Sequence, residues 1–192
     1  MKNILCFEGE WKFNTHKKPE RFDLNSEPIL RMLKEYHKCD AIYRHILTKE
    51  DLELYIEYFN RNKREWNKID IVYIACHGWF HSISLEGENG NVDLQELADI
   101  AGDFFRDKIV HFSCCKTLAN TSEVEHFKSI TGAKLVCGYK KSVDAMKSAI
   151  ADTALLNELI TSNKPGNIKN IAISKFRKTY KSLLNELDFC AI

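Results

Sequence analysis

Excess charge of either sign is the first thing missing from this sequence. Twenty-eight basic residues face 27 acidic ones, for a formal net charge of +1. That balance leaves no electrostatic footprint for nucleic acid or an anionic membrane surface. Long apolar runs are also missing, and none approaches the length of a bilayer span. The start, Met1-Lys-Asn-Ile-Leu-Cys-Phe-Glu8, meets charge too early to read as a signal peptide. Gly87, Gly90 and Gly102 make neither a phosphate loop nor G-x-G-x-x-G, so no nucleotide cofactor is expected. No Cys-x-x-Cys occurs, and zinc would have to draw on Cys76, His77, His81, Cys114, Cys115 and Cys137. Adjacent residues make poor joint ligands, so no metal is expected either. Internal repeats, low-complexity tracts and a composition break are absent, which makes residues 1–192 a single domain. The seven cysteines are odd in number and mostly sit in apolar runs. They read as reduced thiols of a cytoplasmic protein, not as a disulfide framework.

What is present centres on two stretches, Ile71-Val-Tyr-Ile-Ala-Cys-His-Gly78 and Ile109-Val-His-Phe-Ser-Cys-Cys-Lys-Thr117. Each is a short apolar, β-branched run, the pattern of a strand buried on both faces. Each ends abruptly in reactive residues. In an open parallel sheet, chemistry collects at the carboxyl ends of such strands. If the two strands are parallel neighbours, His77 and a cysteine emerge side by side. An imidazole beside a thiol is an arrangement that generates a thiolate nucleophile.

Along the chain, strands are expected at 3–7, 41–46, 69–76, 108–113 and 135–139. The polar segment from Asn14 to Asn25 reads as a long loop. Ser26 is placed to cap a helix over 27–36, with Pro28 in its first turn. Thr48 with Asp51 forms a capping-box pattern, opening a helix whose Leu52, Tyr55, Ile56 and Phe59 share a face. Asn89-Gly90 marks a tight turn or small hairpin. Asp93 with Glu96 starts a helix through about Phe105, and Ser122 with Glu125 starts another that Gly132 ends. Residues 143–160 are expected to be helical, broken by Lys164-Pro-Gly166. Ile168, Ala172, Phe176, Tyr180, Leu183 and Leu187 form one stripe on a last helix. Alternating strands and helices imply right-handed crossovers and a mainly parallel sheet covered on both faces. The basic residues Arg61, Lys63 and Arg64 and the 175–181 cluster read as solvated helix faces.

The order of these features resembles the caspase-like cysteine peptidases, and most closely their bacterial CHAT branch. The residues that carry it are Ala75-Cys-His-Gly78, Leu85, Val92-Asp-Leu-Gln-Glu-Leu97 and Ser113-Cys-Cys-Lys-Thr117. Gly138-Tyr-Lys-Lys-Ser-Val-Asp144, followed by a small-residue helix, continues it. The likeness spans about residues 69–160. It implies a three-layer α/β/α fold with a mainly parallel caspase-like sheet. It further implies a cysteine endopeptidase with Cys115, on the motif position, as nucleophile and His77 as the proton donor to the leaving amine. The amides of Gly78 and Cys115 would form the oxyanion hole. Glu8, Glu10 and Asp144 would line a pocket for Lys or Arg before the scissile bond. The partners implied are a protein or peptide substrate and a regulatory protein or signal. The alternative is a catalytically inactive caspase-like docking or regulatory module.

Plainer readings stand beside these. Cys114 and Cys115 can both be small buried hydrophobes, and His77 can be a hydrogen-bonded structural residue. His111, within a strand, reads as packing, and His81 is a rival base. Asp144 suits the cap of the helix that follows it. Glu8 and Glu10 can point to solvent, and Lys140 and Lys141 can neutralise a pocket.

Overall fold

The structure is a computed structural model and describes residues 1–11, 25–86, 90–162 and 168–192. Residues 14–24 of the loop expected at 14–25, Asn89 of the turn and the Lys164-Pro-Gly166 break lie outside the described residues.

The expected strands all form. The strands are β1 (Asn3–Glu8), β2 (Ala41–His45), β3 (Ile69–Ala75), β7 (Ile109–Ser113) and β8 (Leu135–Tyr139); all but the partly exposed edge strand β2 are mostly buried. They pair in parallel, and with β9 (Phe189–Ala191) they make a sheet in the order β2-β1-β3-β7-β8-β9. β9 runs antiparallel to β8 along one edge. Between β3 and β7 a second, three-stranded antiparallel sheet forms from β4 (His77–Trp79), β5 (Ser82–Ser84) and β6 (Asn91–Asp93). Leu85 N–H bonds Gly90 O at 2.6 Å, just beyond the paired residues of β5 and β6.

The helices cover both faces. They are α1 (Glu27–His37), α2 (Lys49–Arg61), α3 (Lys63–Trp66), α4 (Leu94–Ala101), α5 (Thr121–Thr131), α6 (Ala145–Thr161), α7 (Ser174–Thr179) and α8 (Lys181–Leu187). Strand residues alternate between two cores. Leu5, Phe7, Val72, Ile74, Val110 and Phe112 pack against α2, α4 and α5. Ile4, Cys6, Ile71, Tyr73, Ile109 and Leu135 pack against α1, α6, α7 and α8. This is the three-layer α/β/α arrangement with a mainly parallel sheet.

Local details differ from expectation in four places. Ser26 sits at the N-cap of α1, but its side chain makes no capping bond. α4 ends at Ala101, and Gly102–Phe105 tightens into a 3-10 turn. α5 is capped by Asn120, whose side chain accepts the Ser122 N–H, so the start lies two residues before the Ser122–Glu125 pair. The C-terminal stripe does not form one helix. Lys169–Ile173 is π-helical, and the chain breaks between α7 and α8 at Tyr180, which leaves helical geometry at φ −111° and ψ 28°.

Candidate active site

The strand order puts the candidate residues at one edge. β3 and β7 are parallel neighbours with Ala75 opposite Ser113, so Cys76-His77 and Cys114-Cys115 leave the sheet side by side. β1 lies on the other side of β3, with Glu8 opposite Ala75. The chain winds away from β1 in opposite directions towards β2 and β3, the kind of switch point where open sheets hold ligands.

Cys115 is partly exposed, whereas Cys114 is buried on the α2–α4–α5 side, as strand alternation requires. The Cys115 sulfur accepts the Val143 N–H at 3.4 Å, from the connection between β8 and α6. Gly78 lies directly against the 114–117 segment. A Cβ placed there would be 2.4 Å from the Cys115 carbonyl oxygen and 2.6 Å from Thr117 Oγ1. Thr117 Oγ1 in turn donates to Ser82 O at 2.9 Å, tying the Cys115 turn to β5.

His77 is half-buried. Its Nε2–H donates to the Trp11 carbonyl at 2.9 Å, and the two rings meet edge-on at 5.3 Å. A carbonyl can only accept, so the hydrogen sits on Nε2, and in the neutral ring Nδ1 is the basic nitrogen. Sequence reasoning missed Trp11. It is anchored through its indole N–H to Glu8 Oε1 at 2.8 Å.

The three acids proposed for a substrate pocket reach this edge in different states. Glu8 is 1% exposed, and its two oxygens accept the Ser26 N–H at 2.9 and 3.0 Å in addition to the Trp11 indole. Burial, followed by hydrogen bonding with Glu8, raises the pKa of nearby Tyr43. Asp144 is exposed and caps α6, accepting the Lys147 N–H at 2.9 Å. Glu10 is partly exposed, with a carboxylate oxygen 3.9 Å from His45 Nε2. At the end of β4, Trp79 and the following Phe80 are both more than half exposed. The Lys116 ammonium sits over both rings, at 4.4 and 4.7 Å.

His111, which sequence reasoning assigned to packing, belongs to a buried polar cluster that includes Ser113, two residues before Cys115. Asp152 of α6 accepts Tyr139 Oη–H at 2.6 Å, Tyr73 Oη–H at 3.0 Å, His111 Nε2–H at 2.6 Å and the Ser113 hydroxyl. His111 Nδ1–H donates to the Cys137 carbonyl at 3.2 Å. Burial alone would lower the imidazole's pKa. The Asp152 carboxylate outweighs it, and His111 is held well above its usual value. Burial likewise opposes ionisation of Asp152, but His111, Ser113 and Tyr139 overcome it and lower its pKa. The signal was available in the sequence. Tyr73, His111, Ser113 and Tyr139 are polar residues in otherwise apolar strands, and Asp152 interrupts a helix of small and apolar residues.

Among the described residues no group of three or more His, Cys, Asp or Glu side chains is arranged to hold a metal ion, and no helix is long and apolar enough to cross a membrane.

Comparison with known proteins agrees with the architecture. The model of a family of unknown function, DUF6642, matches residues 1–191. No curated protein matches. Among solved structures, the complex of the Porphyromonas gingivalis RgpB pro- and mature domains is similar, with a TM-score of 0.57 at 11% identity. The similarity covers 96% of this chain, and the chain spans 45% of the RgpB chain. At that identity the likeness carries the fold alone, which is caspase-like.

Proposed function

The chain belongs to DUF6642, a family of unknown function, and from its site we propose that it is a caspase-like cysteine endopeptidase of CHAT-like type. The observation that carries this reading is the placement of His77 and Cys115 at the carboxyl ends of adjacent parallel strands, with Gly78 packed on the Cys115 turn. In this mechanism the Cys115 thiolate attacks the substrate carbonyl carbon. The developing oxyanion is met by the amides of Gly78 and Cys115. His77, protonated at Nδ1, gives that proton to the leaving amine, and the Trp11 carbonyl holds the ring through Nε2–H. Water then hydrolyses the acyl-enzyme. Val143 N–H supplies the sulfur with a donor of the kind a thiolate accepts.

A preference for Lys or Arg is part of the proposal: Glu10 is partly exposed beside the carboxyl end of β1, where a basic side chain can approach it, whereas Glu8 is buried. Asp144 caps α6. Regulation by a partner protein or signal completes the reading. One observation favours the second reading, an inactive docking or regulatory module: His77 Nε2 is bound to a main-chain carbonyl, as a purely structural histidine would be.

The experiment is a peptide-library assay on wild type, Cys115→Ala and His77→Ala, with iodoacetamide labelling of the wild type. Cleavage that falls about 10³-fold or more in both variants, with Cys115 labelled first, supports the peptidase. A wild type that cleaves nothing and leaves Cys115 unlabelled means the docking module.

A further inference from the structure

We propose that Cys76 and Cys114 are a site of oxidative modification, closing to a cross-strand disulfide directly behind the His77–Cys115 pair. The two thiols follow the last paired residues of β3 and β7, Ala75 and Ser113. Their sulfurs lie 3.4 Å apart, and each residue is 1% exposed. Neighbouring strands run ~4.8 Å apart, within the Cα spacing that disulfides bridge. The sulfurs need to approach by only about 1.4 Å to reach bonding distance. The other thiols have different neighbours: Cys137 reaches the Val110 carbonyl and His111 Nδ1, and Cys115 reaches Val143. The bond would close a loop between residues 38 positions apart.

Both residues are 1% exposed, so a small uncharged oxidant reaches the site better than a bulky or charged one. Hydrogen peroxide is such an oxidant. One sulfur, as thiolate, attacks a peroxide oxygen. The O–O bond breaks, hydroxide leaves, and a sulfenic acid forms. The second sulfur attacks the sulfenic sulfur, the S–S bond forms, and the S–O bond breaks. The thiol protons leave with the two oxygens as water. In sum two thiols lose two electrons and two protons, and one peroxide becomes two waters.

The consequence for the site follows from its packing. Gly78 already abuts the Cys115 carbonyl and the Cys114 Cβ, so drawing residues 76 and 114 together displaces 77, 78 and 115 relative to one another. This link to activity rests on the peptidase reading, whereas the disulfide itself does not.

The test has two arms. In the first, Cys115→Ser is treated with hydrogen peroxide, unfolded under alkylation, digested without reductant and mapped by mass. This variant removes the more exposed competing thiol. The expected result is a cross-linked Cys76–Cys114 peptide, lighter by two hydrogens than its reduced halves and released by dithiothreitol. Recovery of both cysteines as alkylated thiols overturns the proposal. In the second, peptide cleavage by wild type and Cys76→Ser is compared after equal peroxide doses. Greater dithiothreitol-reversible loss in the wild type supports the link to activity, and equal loss overturns it. A cross-link in Cys115→Ser together with a wild type that cleaves nothing supports the disulfide and counts against the peptidase. Cleavage without a cross-link does the reverse.

Discussion

A methyl group at Gly78 has nowhere to go. Its nearest neighbour would be the Cys115 carbonyl oxygen at 2.4 Å, a backbone atom that cannot rotate aside. Thr117 Oγ1, at 2.6 Å, is held by its bond to Ser82 O. Gly78→Ala therefore forces the two strand ends apart. Over-packing of this kind costs ~1–3 kcal/mol. The expected outcome is a lower melting temperature together with slower cleavage and slower Cys115 alkylation. A variant with wild-type melting and wild-type alkylation would show that the close approach does not constrain the site. The sequence places Gly78 after the strand-end His77, but does not show what packs against it. That requires the register between β3 and β7, which brings residue 115 to residue 78. The choice between Cys114 and Cys115 is of the same kind. Strand alternation says that the two differ, but the buried face has to be known before one can be assigned inward.

At the scale of elements, start signals are legible where one candidate stands alone. Thr48 and Asp51 make the expected reciprocal capping box of α2. Where two residues compete, as Asn120 and Ser122 do, local pattern does not decide, and the helix starts at the earlier one. β9 is three residues long and follows a helix directly. A strand this short has no period to detect, and it exists because Val136 and Ile192 exchange backbone bonds across the sheet edge. The apolar stripe from Ile168 to Leu187 has helical spacing, yet its backbone breaks at Tyr180. Asp144 shows what an element boundary does for the site. It caps α6, and the residue before it, Val143, donates to the Cys115 sulfur. Asp144→Ala should cost ~1 kcal/mol, or about 2–4 °C in melting temperature for a chain of this size. Asp144→Asn keeps a capping oxygen without the charge and should melt like wild type. In a peptide library, Asp144→Asn should leave any Lys or Arg preference intact, while Glu10→Gln should weaken it. The opposite pattern would return Asp144 to the pocket.

Across the whole molecule, the layered fold was legible because strand and helix periods alternate along the chain, and each strand divides its residues between two cores. What stayed hidden is the polar centre of one core, since it is assembled from four elements far apart in sequence. Asp152, His111, Tyr73, Ser113 and Tyr139 tie β3, β7 and β8 to α6. Removing one partner of a buried, charged pair leaves the other uncompensated, so Asp152→Ala should cost ~3–5 kcal/mol. The pH dependence gives a sharper test. The folded-state pKa of Asp152 is depressed, so its contribution is present above its ordinary value of 3.8 and is lost as pH falls through the folded value. The folded-state pKa of His111 is raised, so its contribution is complete below 6.5 and is lost as pH rises through the folded value. The pair contributes fully between those two ordinary values. Above pH 6.5 the unfolded chain releases the His111 proton while the folded chain keeps it, and this group's share of stability declines by about 1.4 kcal/mol per pH unit. In Asp152→Ala the buried imidazole loses the carboxylate that held its proton, and that decline should vanish. Urea unfolding of both proteins from pH 5 to 9 measures the difference between them, in which other titrating groups cancel. A constant difference across that range would mean that His111 is neutral in the fold and that the cluster is held by uncharged hydrogen bonds.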